Sequence, residues 1–514
     1  MNRTDVNRLH EASLKILGRT GVAFYSETVL EVFKRHGLPT DGHVVYFPEK
    51  IIQNALTTAP STFRIRARNP IRDITAGGGA PPILVPGYGA PFMVDRNGKR
   101  NKATIEDYRR FCKLVQTSDV IDINGFLMVD PGDLDPDVYH LDMLLNNVLL
   151  SDKPFMGCPF SKACVLDSLA MASIAFGKNA GAMMVFNINA QAPLQYAGNM
   201  AEALMTCATY GQPAIITGGG ILGATAPITV SGMLAAQNAA VLAGIALAQL
   251  IRPGAPVIYG LGGTNMDMQS GNFYAGSPEA IQALKGGAAL ARFYDLPSKC
   301  GGAALNDAPL MDYQAGYQST LALSAAISAG VSFVLHACGM LGTFMSMSLT
   351  KFVADEAVCR HLAAAAEPVD TSHAAAELES IKAVGIGGEY ITHVSTLRRC
   401  RTAFASIPLA NRYAYDQWSA SGEQDYNQRA SRLAADRLNQ YQKPPIDPDV
   451  VHELTHYVKS KKKALWPMPW MRMTGIACPD CTPAASLSRR SWRRSRKRTA
   501  AGGGCWRRSS SATN

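Results

Sequence analysis

The 514-residue sequence offers no apolar run of bilayer length. The longest, such as residues 239–251, stop short of the roughly 20 residues that a membrane span requires. Residues 1–23 alternate charged and apolar side chains at helical spacing and contain no signal-peptide core. Export and membrane residence are therefore not expected. Net charge is also scarce where it would matter. Of the formal +10, residues 464–514 carry +9, from nine Arg and one Lys against Asp480, which leaves +1 for residues 1–463. A nearly neutral body excludes the electrostatic footprint of a nucleic-acid binder outside that tail. The eleven cysteines are odd in number, and the eight in the body (112, 158, 164, 207, 300, 338, 359 and 400) lack paired spacing. That usage fits a reducing cytoplasm.

Catalytic signatures are missing too. The ten histidines form no HExxH motif, and the one pair at helical spacing, His452 and His456, has no third ligand nearby in sequence. Neither a Gly-x-Ser-x-Gly elbow nor a nucleotide-binding glycine fingerprint is present. Cys338 stands two residues beyond His336, which along a regular strand would turn both to one side. A buried thiol there reads more simply as packing. No bound metal is expected, and no side chain is assigned as nucleophile.

What is present is a pattern. Apolar residues make up 47% of the chain, with 45 Gly and 29 Pro, the composition of a globular protein with a large core and many turns. After a helical lead-in over residues 1–80, short apolar strands are predicted at 83–86, 123–129, 154–157, 183–187, 214–217, 256–260, 298–301 and 332–336. A helix follows each, near 103–117, 136–148, 161–176, 195–210, 229–251, 277–294, 311–329 and 347–364. Eight strand–helix units over about 280 residues predict an α/β fold, a (β/α)₈ TIM barrel over residues 81–365. A C-terminal helical extension is expected over 366–460. Residues 461–514, Arg-rich and holding four of the five Trp, read as a disordered or non-native basic tail.

Glycine and polar residues collect after the strands, at the barrel end where catalysis is housed. Gly218-Gly219-Gly220 and Gly260-Leu-Gly-Gly263 read as turns off barrel strands. Aromatic residues gather there as well, among them Tyr88, Tyr259 and Phe344. Aromatic faces around one cavity favour a quaternary ammonium by roughly 0.5–2 kcal/mol per contact. Lys299 and His336 lie at the mouth-side ends of the last two strands, where they could hold an anionic group. Each also has a plainer reading, a solvated loop lysine and a core histidine.

Several segments carry a resemblance: Ala55-Leu-Thr-Thr-Ala-Pro60 with Arg66-Ala-Arg-Asn-Pro70, Gly223-Ala-Thr-Ala-Pro227, Gln249-Leu-Ile-Arg-Pro-Gly-Ala-Pro256, Gly276-Ser-Pro-Glu279, Ala291-Arg-Phe-Tyr-Asp-Leu-Pro-Ser298, Asp312-Tyr-Gln-Ala-Gly316 and Ser348-Leu-Thr-Lys-Phe-Val-Ala-Asp-Glu356. Through them the chain resembles the trimethylamine:corrinoid methyltransferase family over residues 8–460. It is similar to the branch without pyrrolysine, whose members demethylate quaternary amines such as glycine betaine. One departure is Val394-Ser-Thr396 after His393, where the family pattern leads one to expect His-Thr. The resemblance implies methyl transfer from a quaternary amine to the Co(I) of a corrinoid on a separate protein. From their places at the barrel mouth, Tyr88, Tyr259, Lys299, His336 and Phe344 are the candidate substrate-binding residues, and a cytoplasmic homo-oligomer with no membrane or nucleic-acid partner is expected. The alternative is a non-catalytic betaine-binding or partner-docking protein of the same fold.

Overall fold

The computed structural model describes residues 1–177 and 181–465. The basic tail and its Cys478/Cys481 pair therefore lie outside the described residues. Three helices, α1 (Arg3–Arg19), α2 (Glu27–Arg35) and α3 (Glu49–Thr58), precede the barrel. Seven parallel strands then pair in chain order: Ile83–Pro86, Phe155–Met156, Met184–Asn189, Ala214–Leu222, Val257–Met266, Ser298–Gly301 and Phe333–Cys338. The last returns to the first, with Phe333 opposite Ile83.

The strand expected over 123–129 is the exception. That segment fills the ring position between Ile83–Pro86 and Phe155–Met156, but only through isolated contacts. The Asp122 N–H donates to the Leu84 carbonyl (3.0 Å), the Asn124 N–H donates to Pro154 (2.9 Å), and Asn124 makes a parallel bridge to Phe155. A regular ladder fails because the Asp122 carboxylate takes the Leu84 N–H at 2.7 Å. Gly125, one residue beyond Asn124, also weakens extended pairing. The barrel is thus closed, with seven regular strands and one bridged segment.

Each ring position is followed by its helix: α4 (Ile105–Thr117), α5 (Tyr139–Leu150), α6 (Lys162–Phe176), α7 (Gly198–Thr209), α8 (Val230–Ile251), α9 (Pro278–Phe293), α10 (Tyr313–Ser328) and α11 (Leu349–Ala366). Their starts are written locally. Thr104, Ser161, Thr229, Ser277, Asp312 and Ser348 each accept a backbone N–H from the first turn of the helix they precede. By length and composition α8 could cross a membrane, contrary to the sequence-based estimate of its apolar run, yet most of it is buried. It is apolar all round because it is covered all round, by the strands Ala214–Leu222 and Val257–Met266 and by α1, α3 and α7.

After the barrel come α12 (Leu378–Val384), α13 (Val394–Arg399), α14 (Tyr415–Ala420), α15 (Tyr426–Asn439) and α16 (Pro448–Leu465). Of these, α15 packs on α11 and α4, and its Arg437 guanidinium is ion-paired with Glu356 of α11.

Candidate functional site

At the C-terminal ends of the strands lies a cavity of about 710 Å³, lined by Lys299, His336 and Phe344 together with Gln191, Gln195, Thr217 and Phe273. Lys299 reaches it because Ser298–Gly301 alternates in burial, with Ser298 and Cys300 packed away and Lys299 and Gly301 turned toward the cavity. Burial lowers the Lys299 ammonium to about 8, and among the described residues no carboxylate opposes the shift.

His336 reaches the cavity by a different device. Pairing between Phe333–Cys338 and Ile83–Pro86 slips between Val334↔Leu84 and Cys338↔Pro86, so four steps on one strand match two on the other. Within this bulge His336 takes φ +65°, a left-handed conformation uncommon for a residue with a side chain. The bulge breaks the alternation that would have put His336 and Cys338 on one side. Cys338 is fully buried beside Cys359, and burial pushes its thiol far up, which leaves it inert. The Tyr88 N–H donates to His336 Nδ1 at 3.1 Å. Nδ1 is therefore the acceptor, and the proton sits on Nε2. Burial, reinforced by Lys299, lowers the imidazole to about 3, so it is neutral at working pH.

Phe344 caps the hairpin formed by Met340–Leu341 and Ser346–Met347, again with a left-handed backbone, φ +68°. Its ring meets His336 edge-on at 5.3 Å, and the partly buried Tyr88 approaches the same imidazole at 6.5 Å. Two strained non-glycine residues in ring contact mark a place where the fold tolerates a local cost. Phe92, also near the mouth, is already covered by Arg100 of its own chain at 4.5 Å.

Tyr259 is the misplaced expectation. It is fully buried on the outer side of its strand, where its hydroxyl donates to Asn238 Oδ1 of α8 at 2.8 Å. Asn238 in turn donates to Tyr294 (2.8 Å) and Ser13 (2.9 Å). An aromatic residue within a barrel strand points inward or outward by register, and Tyr259 has the outward register. Tyr259→Phe is expected to cost about 1–2 kcal/mol of stability, because Asn238 loses its donor, while leaving turnover unchanged. Chemical denaturation beside an activity assay checks both halves.

On the two strands that precede Ser298–Gly301 in the barrel, part of the cavity wall is bare backbone. A Cβ on Gly262 would meet nothing within 4 Å, and one on Gly219 would meet only the Gly262 carbonyl, at 3.7 Å. At the rim, the Asp307 carboxylate accepts the N–H groups of Ala275 (2.7 Å) and Gly276 (2.9 Å), the Gln318 amide (3.2 Å) and the Thr343 hydroxyl (3.1 Å). One side chain thus joins the loops after the last three strands. Thr217, whose hydroxyl donates to Asn187 at 3.0 Å, could have been read from its place beside the glycine triplet. Gln191 and Gln195 carry no pattern that singles them out. Among the described residues, no group of three or more His, Cys, Asp or Glu is placed to hold a metal ion.

The trimethylamine methyltransferase family model matches residues 1–466. The chain belongs to that family. It is 38% identical over 467 residues to the glycine betaine methyltransferase of Desulfitobacterium hafniense, covering 90% of this chain and 97% of the relative. It is 32% identical over 479 residues to the proline betaine:corrinoid methyltransferase of Eubacterium limosum, covering 89% and 97%. A trimethylamine methyltransferase from another strain of D. hafniense is 29% identical over 462 residues, covering 88% and 91%. Across the family match, the lead-in, the barrel and the helices after it form one continuous unit, Met1–Ser460.

Proposed function

We propose that this protein moves a methyl group from a quaternary amine bearing a carboxylate, of the glycine betaine class, to the Co(I) of a corrinoid carried by a partner protein. The observation that carries the carboxylate is Lys299, a cavity-facing ammonium without an anionic partner, flanked by the neutral His336 with its Nε2–H donor. A substrate carboxylate supplies the missing charge and accepts from both groups. The methylated nitrogen then lies toward the ring of Phe344, with Tyr88 packed behind His336 and outside the cavity lining. Methyl-transfer activity itself is supported by the family and by the betaine relatives.

The corrinoid acceptor supplies the nucleophile when its carrier docks, and the side-chain-free wall at Gly219 and Gly262 leaves room for a bulky group to approach. The chain's own residues bind, orient and exclude water. A quaternary nitrogen departs as a neutral tertiary amine, so no proton need be delivered to it. The electroneutral His336 fits that economy, since it has no labile charge to give. Eight free thiols among the described residues support a reducing, cytoplasmic setting.

The test is to mix the protein with reduced cobalamin and a panel of methylated amines and follow the loss of Co(I) absorbance. Turnover of a betaine is the expected result. Binding without turnover would instead favour the non-catalytic alternative.

A pH profile follows from the same site. The free enzyme needs the Lys299 cation, and burial holds that group near 8. kcat/KM for the betaine is expected to be flat below about pH 7 and to fall about tenfold per pH unit well above 8. His336 adds no limb near neutrality, because its lowered value, about 3, keeps it neutral there. In Lys299→Gln the alkaline limb should vanish, and a limb that persists would assign it to another group.

A further inference from the structure

Between α11 and α15 the chain breaks the rule followed by the rest of the molecule. No residue from 367 to 425 is buried, although three helices lie within it. Eleven large apolar side chains in this arm are exposed, including Ile386, Phe404 at 78%, Ile391 at 70% and Leu397 at 64%. Helices of six and seven residues are not stable in water by themselves, and nothing in this arm covers them. A second uncovered feature lies on the body. Tyr313, Tyr317 and Leu321 follow one another at every fourth residue of α10 and are exposed by 87%, 42% and 58%. They line a groove of about 860 Å³.

We infer that the arm 367–425 of one copy packs on the α10 face of a second copy, closing a two-fold dimer by exchange of arms. The area is sufficient. Eleven large side chains expose on the order of 1,000 Å² of apolar surface, against about 800 Å² per partner in a standard stable interface. The kind of surface also selects the partner. A corrinoid carrier must arrive and leave at the barrel mouth in each turnover, which suits a small, polar-rimmed contact. An arm that cannot order itself alone needs a permanent cover, and an isologous contact supplies donor and receptor from the same sequence.

Sedimentation velocity of the full chain at low micromolar concentration should give twice the chain mass or a multiple of it. Ile391→Asp with Leu397→Asp in the arm, and separately Tyr317→Asp with Leu321→Asp on α10, should each weaken self-association by more than tenfold while the circular dichroism loses no more than the share of α12, α13 and α14. All four sites are solvent-exposed within one copy, so the monomer fold does not depend on them. Hydrogen exchange on the parent gives a check that needs no variant, with amides of α12 and α13 expected to be protected at least tenfold over an unstructured peptide. A monomeric parent, unprotected arm helices, or either pair of substitutions leaving the mass unchanged would overturn the arm exchange.

Discussion

Lys299→Ala is expected to lower kcat/KM for glycine betaine by roughly 10- to 100-fold, the loss of one charge-assisted hydrogen bond worth about 1.5–3 kcal/mol. The same change should leave a substrate without a carboxylate, such as choline or trimethylamine, nearly unaffected. Stability supplies an independent sign. Lys299 makes no ion pair among the described residues and is disfavoured as a cation by burial, so removing it should hold or raise the melting temperature. A lysine retained for structure would lower it. His336→Ala is expected to act in the same direction with a smaller effect, because a neutral N–H is a weaker donor to a carboxylate than an ammonium. If both variants demethylate betaines as well as the parent, or if the parent prefers trimethylamine to every betaine, the carboxylate site is misassigned.

Gly262→Leu is expected to abolish methyl transfer, by more than about 100-fold, without unfolding the protein. A Cβ at Gly262 meets open space, and the branched chain beyond it would occupy the cavity itself. Position matters here to the single residue. At Gly263, on the other face of the same strand, a Cβ would fall 2.4 Å from Met233 of α8. Gly263→Val should therefore cost about 1–3 kcal/mol of stability through overpacking, a loss that Gly262→Leu should not show. Thermal melts beside the Co(I) assay separate the two. Equal loss of stability at both positions would mean that the wall is not open toward the cavity.

The barrel was legible in the sequence because strand and helix periods alternate with little ambiguity, down to the short strand Ser298–Gly301. The segment 123–129 was misread because its apolar pattern is that of a strand, while its ladder bond is taken by a side chain, that of Asp122, which no periodicity reports. Lys299, His336 and Phe344 could be found from their places at strand ends. Tyr259 could not be sorted from them, because inward and outward register on a barrel strand is set by neighbours far away in sequence. The bulge at His336 was equally hidden, since it depends on how two distant segments pair.

The four hydrogen bonds at Asp307 bear on how such a mouth can be altered. Replacing the loop that carries Asp307 would remove the bonds that hold both of its neighbours, whereas replacing either neighbour would break only its own bonds to Asp307. The loop after Ser298–Gly301 is therefore the hub, and exchanging it to change substrate range would have to preserve a carboxylate at position 307. The loop bearing Gln191 and Gln195 is held elsewhere, with Gln195–Tyr196 paired to the N-terminal strand Val22–Phe24. Side chains on this loop can change without disturbing the Asp307 hub, while its length is fixed by that pairing, so selection could reshape this part of the pocket one mutation at a time.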